Sequence, residues 1–371
     1  MTAPETHRRL AAVLQSAEKG EGLGGEEIRF LTGLRDREHL EALFASARRL
    51  RARYFGEKIF LYGFLYISTY CRNNCNFCYY RKSNRECVRY RKDAGEIVSA
   101  ARALSQTGVH LIDLTMGEDP EILNSGKGGY DWLADVVRSV RDETGLPVMV
   151  SPGVVPEDVL HMLAEAGATW YACYQETHSR ELFKRLRPGQ SYDERWNGKA
   201  AAHALGMLIE EGLLGGVGES GNDLADSMEA MHRLEADQIR IMNFVPQCGT
   251  PMAGRAQSSR LRELVAAAVM RLVFPDRLIP ASLDVDGLAG LGERLDSGVN
   301  VITSLVPPGK GLAGVAQSSL DIEEGNRSAG RVKRILSENG MRAATLEEYT
   351  AWIEQRRSVV MADRSPRWSA C

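Results

Sequence analysis

The sequence predicts one α/β fold, a (β/α)8 TIM barrel with an N-terminal helical extension and a C-terminal helical segment. Three observations carry that expectation. Short β-branched or aromatic runs alternate with longer helical patterns, as parallel strands joined by crossover helices require. There are eight such runs, the number that closes a barrel of this kind. The chain has 371 residues, 44% hydrophobic and 26% charged, which suits a globular core and argues against disorder.

Residues 26 to 55 read as helix, because Leu40, Leu43, Phe44, Ala47, Leu50 and Tyr54 recur at three- and four-residue steps and form one apolar stripe. Residues 1 to 55 are therefore expected to form the helical extension, and 56 to 310 the barrel. Its strands are expected at 59 to 68, 110 to 115, 147 to 151, 170 to 175, 208 to 217, 238 to 244, 278 to 284 and 299 to 305. Helices are expected between them at 93 to 106, 130 to 144, 156 to 166, 193 to 206, 222 to 235, 260 to 273 and 286 to 296, which leaves no room for a second core. Beyond Pro307-Pro308-Gly309 the chain turns polar, and 327 to 356 reads again as helix, expected to pack outside the barrel. Residues 311 to 371 make up this last segment, ending in a loose tail, RSPRWSAC.

Lys and Arg number 46 against 49 Asp and Glu, a net charge of -3 that lacks the overall positive field of a dedicated nucleic-acid binder. No run approaches the length of a membrane span, and the start, MTAPETHRRL, has no apolar stretch for a signal peptide. A cytoplasmic protein with no membrane partner is expected. The cysteines number seven, an odd count, and three crowd together, which fits reduced thiols at a metal centre better than a disulfide framework.

That crowd follows the first strand directly: Cys71-Arg72-Asn73-Asn74-Cys75-Asn76-Phe77-Cys78, or C-x3-C-x2-C on a loop. Three thiolates at this spacing can wrap one small cluster while supplying three of the four ligands a cubane needs, leaving one iron open. The alternative is a structural zinc site with a distant fourth ligand. Cys87 is the nearest candidate for it, but it has no C-x2-C partner.

C-x3-C-x-aromatic-C at the mouth of a barrel's first strand resembles the radical S-adenosylmethionine enzymes. The resemblance implies a 4Fe-4S cluster on Cys71, Cys75 and Cys78, with S-adenosylmethionine on the open iron and a 5'-deoxyadenosyl radical as the reactive species. Asp113-Leu114-Thr115-Met116-Gly117-Glu118-Asp119-Pro120 is similar to the glycine-glutamate motif that holds the methionyl amine, with Met116 in place of the first glycine. A plain turn is the other reading of those residues. Phe77, Tyr79, Met116, Gly117, Glu118, Ser151, Glu176 and Arg195 are the cofactor-binding residues the resemblance implies. For Tyr79 and Arg195 the alternatives are simple packing and a solvated helix face.

The substrate end follows from period-two reasoning. In QIRIMNF, Arg240, Met242 and Phe244 share one face of the strand. A charge inside a barrel needs a partner, because an unpaired buried charge costs several kcal/mol. Asp113 and Asp284 pose the same problem from other strands, and Ser282 shares a face with Asp284. One reading is an internal Arg240-to-Asp ion pair. The other is a ligand with one carboxylate and two amines, such as lysine, meeting Arg240, Asp113, Asp284 and Ser282.

Taken together, YFGEKIFLYGFLYISTYCRNNCNFCYY, DLTMGEDP, SPGV, YQETHSRELFKRLRPGQS, RIMNFVPQCGTP, LIPASLDVDG and NVITSLVPP resemble the methylornithine synthases, the lysine mutases of pyrrolysine biosynthesis. The likeness runs from about residue 26 to about 350. It implies isomerisation of L-lysine to (3R)-3-methyl-D-ornithine by hydrogen abstraction, fragmentation of the carbon skeleton and recombination. It also implies amino-acid binding at Asp113, Arg240, Ser282 and Asp284, and a reductant protein such as flavodoxin or ferredoxin. Cys87, Cys248 and Cys371 fall outside the pattern.

Two alternatives compete. One is a relative of biotin synthase or the hydrogenase maturases acting on another small substrate. The other is nucleic-acid modification, motivated by Tyr79-Tyr80-Arg81-Lys82-Ser83-Asn84-Arg85 and Arg89-Tyr90-Arg91-Lys92, basic residues interleaved with aromatics. The negative net charge weighs against the second, and no nucleic-acid partner is expected.

Overall fold

The computed structural model describes residues 2 to 124, 128 to 306 and 327 to 362. Eight parallel strands form its centre: β1 (Lys58–Ser68), β2 (Leu111–Met116), β3 (Val148–Ser151), β4 (Ala168–Ala172), β5 (Leu208–Gly215), β6 (Gln238–Asn243), β7 (Pro280–Ser282) and β8 (Val301–Leu305). They stand in the order β6-β5-β4-β3-β2-β1-β8-β7, which is chain order wrapped round until β6 meets β7. These two meet at one backbone step, where Ile239 N donates to Leu278 O at 3.0 Å and Leu278 N to Asp237 O at 3.1 Å. Among the described residues no further ladder pair joins them.

The strands are apolar along nearly their whole length because helices cover them outside and side chains fill them inside. All of β1 except Lys58 is buried. The outer ring consists of α4 (Ala94–Ser105), α5 (Gly129–Thr144), α6 (Glu157–Glu165), a short α7 (Arg180–Leu186), α8 (Tyr192–Ala204), α9 (Gly221–Arg233), α10 (Arg260–Val273) and α11 (Leu291–Asp296). The sequence pattern does not foresee α7, and α11 begins later than expected. β4 stops at Ala172 rather than 175, because Cys173 to Glu176 leave the ladder and bend into the mouth, where Glu176 bridges to Leu213.

The N-terminal extension is three helices, α1 (Ala3–Lys19), α2 (Gly25–Thr32) and α3 (Arg37–Phe55), packed against α9, α10 and α11. The continuous helix expected over 26 to 55 is thus broken. Asp36 starts a new one by accepting from Glu38 N at 3.0 Å and His39 N at 3.2 Å, the usual capping chemistry. α1 buries Leu10, Val13, Leu14 and Ala17, a stripe at helical spacing.

The C-terminal segment holds α12 (Ala329–Glu338), a two-residue strand β9 (Arg342–Ala343) paired with β1, and α13 (Leu346–Ala362). The helix expected over 327 to 356 is broken by β9, and its second half, α13, lies outside the barrel as expected, across its floor. The Tyr349 hydroxyl donates to that of Tyr62 at 2.8 Å, and Trp352 stacks on Trp170 with ring centroids 6.0 Å apart and planes within 4°. Large aromatic rings at the narrow N-terminal end hold it there. With the floor covered, access is left to the C-terminal ends of the strands. Pro307-Pro308-Gly309, the tail from 363 and Cys371 lie outside the described residues. No described helix is long and apolar enough to cross a membrane.

Candidate active site

The C-terminal ends of the strands surround a cavity of about 230 Å3. Its upper wall is the loop that leaves β1. Ser68 Oγ donates to Asp119 Oδ2 at 2.5 Å, and Arg91 grips the same carboxylate at 2.7 and 2.8 Å. Arg89 donates to the carbonyls of Tyr80 and Arg81 at 3.0 and 2.7 Å, and to that of Thr69. Thus pinned, the loop turns Cys71, Cys75 and Cys78 into the cavity wall.

The surroundings of these thiols suit thiolate ligands. Cys75 Sγ accepts from Gln190 Nε2 at 3.1 Å and from Arg187 Nη1 at 3.5 Å, while Asn73 N points at Cys71 Sγ at 3.5 Å. A guanidinium and amides aimed at sulfur stabilise negative charge there and tune an iron-sulfur centre. Burial pushes the Cys71 and Cys78 thiols up, with neighbouring thiols adding to it, so loading metal releases protons. Among the described residues no three His, Cys, Asp or Glu side chains are gathered to hold a single ion. A cubane needs no such convergence, since each thiolate takes its own iron.

The middle of the cavity is lined by Phe77, Met116, Gly117, Glu118, Ser151, Glu176 and Arg195. Gly117 is required for packing: a Cβ there would stand 2.2 Å from the Tyr70 carbonyl oxygen. Glu118 meets Arg72 Nε at 2.9 Å and Arg195 Nη1 at 3.2 Å. Burial would raise this carboxyl, but Arg195 and Arg72 outweigh it and hold it below the usual range. Glu176 has φ 68, a left-handed conformation that costs a non-glycine residue energy, and pairs with Arg187 at 2.6 Å. Tyr79 lies outside the lining; its hydroxyl donates to Glu86 O at 2.9 Å, which leaves it in the packing role.

Deeper in, the charges pair differently from the sequence reading. Arg240 Nε donates to Glu210 Oε1 at 2.6 Å, not to an aspartate. Glu210 also accepts from Gln238 Nε2 and from the Tyr174 hydroxyl, each at 2.7 Å. Asp284 pairs with Arg327 and accepts from Ser304 Oγ at 2.8 Å and Ser282 Oγ at 3.0 Å. Ser282 itself sits behind Asp284, outside the lining. Asp113 accepts from Thr115 Oγ1 at 2.8 Å and Ser151 Oγ at 3.4 Å. Burial, and then the charge of Glu210, push Asp113 up to about 7.

Sequence reasoning thus missed Glu210, Tyr174, Arg187, Gln190, Ser304 and Arg327. For Glu210 a signal was present, since Glu210-Glu211 places two carboxylates inside an apolar strand, and alternation must send one of them inward. Glu211 goes outward to Lys199 at 2.7 Å, both fully buried.

Residues 65 to 231 match the radical S-adenosylmethionine superfamily. The 3-methylornithine synthase of Methanosarcina barkeri is 41% identical over 333 residues, 90% of this chain and 94% of that protein. A crystal structure of methylornithine synthase superposes with a TM-score of 0.87 at 40% identity, over 92% of this chain and 99% of that one. The hydrogenase maturase subunit HydE of Thermotoga maritima is 30% identical, over 78% of this chain and 82% of that protein. At such identity and coverage the chain belongs to the methylornithine synthase family of radical S-adenosylmethionine enzymes, which work with a 4Fe-4S cluster and S-adenosylmethionine.

Proposed function

We propose that the chain isomerises L-lysine to (3R)-3-methyl-D-ornithine. One observation carries the choice of substrate: Asp113, Arg240 and Asp284 line the buried end of the cavity, and Glu210 and Arg327 pair with the last two from behind, two guanidiniums against three carboxylates. With Asp113 ionised, that set is short of one positive charge. Lysine, with one carboxylate and two ammonium groups, brings it. The Glu210 contact uses Nε of Arg240, and Nη1 reaches only the weak acceptor Met242 Sδ at 3.7 Å, so the terminal nitrogens can turn to a substrate carboxylate, while Asp113 and Asp284 take the ammonium groups.

In this reading Cys71, Cys75 and Cys78 hold the cluster, and Phe77, Met116, Gly117, Glu118, Ser151, Glu176 and Arg195 hold S-adenosylmethionine. Together these cofactors supply the 5'-deoxyadenosyl radical that removes a side-chain hydrogen. The chain's own contribution is to hold both charged ends of the substrate, so that fragments of the carbon skeleton stay in register for recombination. Burial of the site excludes water that would divert radicals. The reading calls for a reducing cytoplasm, where the thiols stay free for iron, and for an outside donor of one electron.

The test is anaerobic reconstitution with iron and sulfide, then S-adenosylmethionine, a one-electron reductant and L-lysine, with chromatographic separation of the amino acids. A new peak isobaric with lysine and absent in Cys75→Ala is expected. Deoxyadenosine without any isomer would remove lysine and favour the biotin-synthase-like or maturase-like alternative.

A further inference from the structure

The stretch that wraps the three cysteines is charged against the grain of the chain. Residues 72 to 92 contain seven basic residues and one acidic residue, a net +6 in a protein whose net charge is -3. Some of these cations build the loop: Arg89 binds carbonyls, Arg91 takes Asp119 and Glu121, and Arg72 takes Glu118. Lys82 and Arg85 do neither. Both are exposed, and neither has a side-chain partner among the described residues.

The backbone at Lys82 and Ser83 ties this stretch to the thiols. Lys82 N donates to Asn73 O at 2.7 Å and Ser83 N to Asn74 Oδ1 at 3.0 Å, so both residues rest on the turn between Cys71 and Cys75. Arg185, exposed at the end of α7, borders the same loop, its carbonyl accepting from Asn76 Nδ2 at 2.7 Å. An apolar centre accompanies these charges. Val88 is 77% exposed, and the exposed Tyr70 precedes Cys71. Two exposed apolar side chains beside a run of cations make an apolar centre with a charged rim, which is the anatomy of a docking surface.

We infer that the face formed by Lys82, Arg85, Val88 and Arg185 docks an acidic one-electron carrier protein and brings its redox centre against the cysteine loop. One electron leaves the carrier and enters the cluster; no atom is transferred. RNA is the other polyanion to consider, but the aromatics of this stretch are turned inward. Tyr80 is buried, Tyr79 bonds Glu86 O, and Tyr90 bonds Tyr66 O beneath Lys92, which leaves no ring of the three free to stack a base. The inference rests on the cluster chemistry of the family and not on lysine as substrate.

The test uses the reconstituted full chain, its Lys82→Glu/Arg85→Glu double variant and Val88→Asp. Binding of an acidic flavodoxin is titrated at low and moderate salt, and cluster reduction is followed by visible absorbance and electron paramagnetic resonance, without lysine. The charge reversal is expected to weaken flavodoxin binding about tenfold or more and to flatten its salt dependence. Reduction by flavodoxin slows in step, while reduction by dithionite stays unchanged. Unaltered flavodoxin affinity would overturn the inference, as would equal slowing with both reductants, which would mean a damaged cluster loop. Tight, salt-sensitive tRNA binding lost in the same variants, with flavodoxin unaffected, would overturn it in favour of RNA.

Discussion

Arg240 and Glu210 face each other from neighbouring strands, nitrogen to oxygen at 2.6 Å, with Gln238 and Tyr174 completing the carboxylate's bonds. Three side chains from three successive segments of the barrel thereby fix one guanidinium, whose ring neighbour is Tyr174 at 5.5 Å. Glu210→Gln keeps the shape and removes the charge. It should raise KM for lysine about tenfold or more with a smaller change in kcat, because a loosened fork binds both ground and transition states less well. Steady-state kinetics on the folded variant decide it: a pure kcat loss would mean that Glu210 acts elsewhere.

Lysine affinity should depend on pH through Asp113. Its carboxyl is pushed up to about 7 by burial and by Glu210, so near pH 6 the site is mostly protonated and cannot pair an ammonium. Affinity is expected to rise between pH 6 and 8 and to level off above. The sign for stability is the reverse. A raised carboxyl favours the folded chain at low pH, and that contribution is lost as pH climbs through about 7. Calorimetric titration of lysine against wild type and Asp113→Asn checks the first, since the variant should bind weakly with little pH dependence, and denaturant unfolding of wild type at pH 5 and pH 8 checks the second.

Iron should follow three cysteines and no others. Cys75→Ala is expected to abolish the visible absorption of the reconstituted protein, whereas Cys87→Ala and Cys248→Ala should keep it. All six described cysteines are free thiols, but Cys87 lies buried against Asn84 O and Cys248 is exposed. Neither lines the cavity. Iron and sulfide analysis is the measurement, and loss of iron in Cys87→Ala would bring back a fourth protein ligand.

Lys199→Met should destabilise the fold by about 3 kcal/mol or more, because it leaves Glu211 buried without its cation. Lys199 also donates to Cys173 O at 2.8 Å, and Glu211 accepts from Gln175 N at 2.8 Å, so the pair braces the segment leading to Glu176. Denaturant unfolding should show the loss, and Lys199→Met/Glu211→Leu should recover much of it. A double variant no better than the single would locate the cost elsewhere.

The legible part of this molecule was its periodic part. β1, with its long apolar run, and QIRIMNF, with its alternation, announced two strands, one leading into the cysteines and one carrying Arg240. Asp113, Arg240 and Asp284 stood out because charges inside a barrel demand an explanation. Their pairing did not follow, since period two gives a face and not a partner. Glu210 reaches Arg240 only through the register that sets Glu210 opposite Gln238, and Arg327 comes to Asp284 from beyond β8. The break before Asp36 was written in a capping residue, but an apolar stripe running across it concealed the interruption.

β6 and β7 share a single backbone step at Leu278, below the level of Arg240 and Asp284. These two residues stand on either side of the barrel's one weak seam among the described strands. A molecule held by both is a rung between staves that the main chain leaves unlashed. A lysine bound as proposed would therefore close, from inside, the gap that the main chain leaves open.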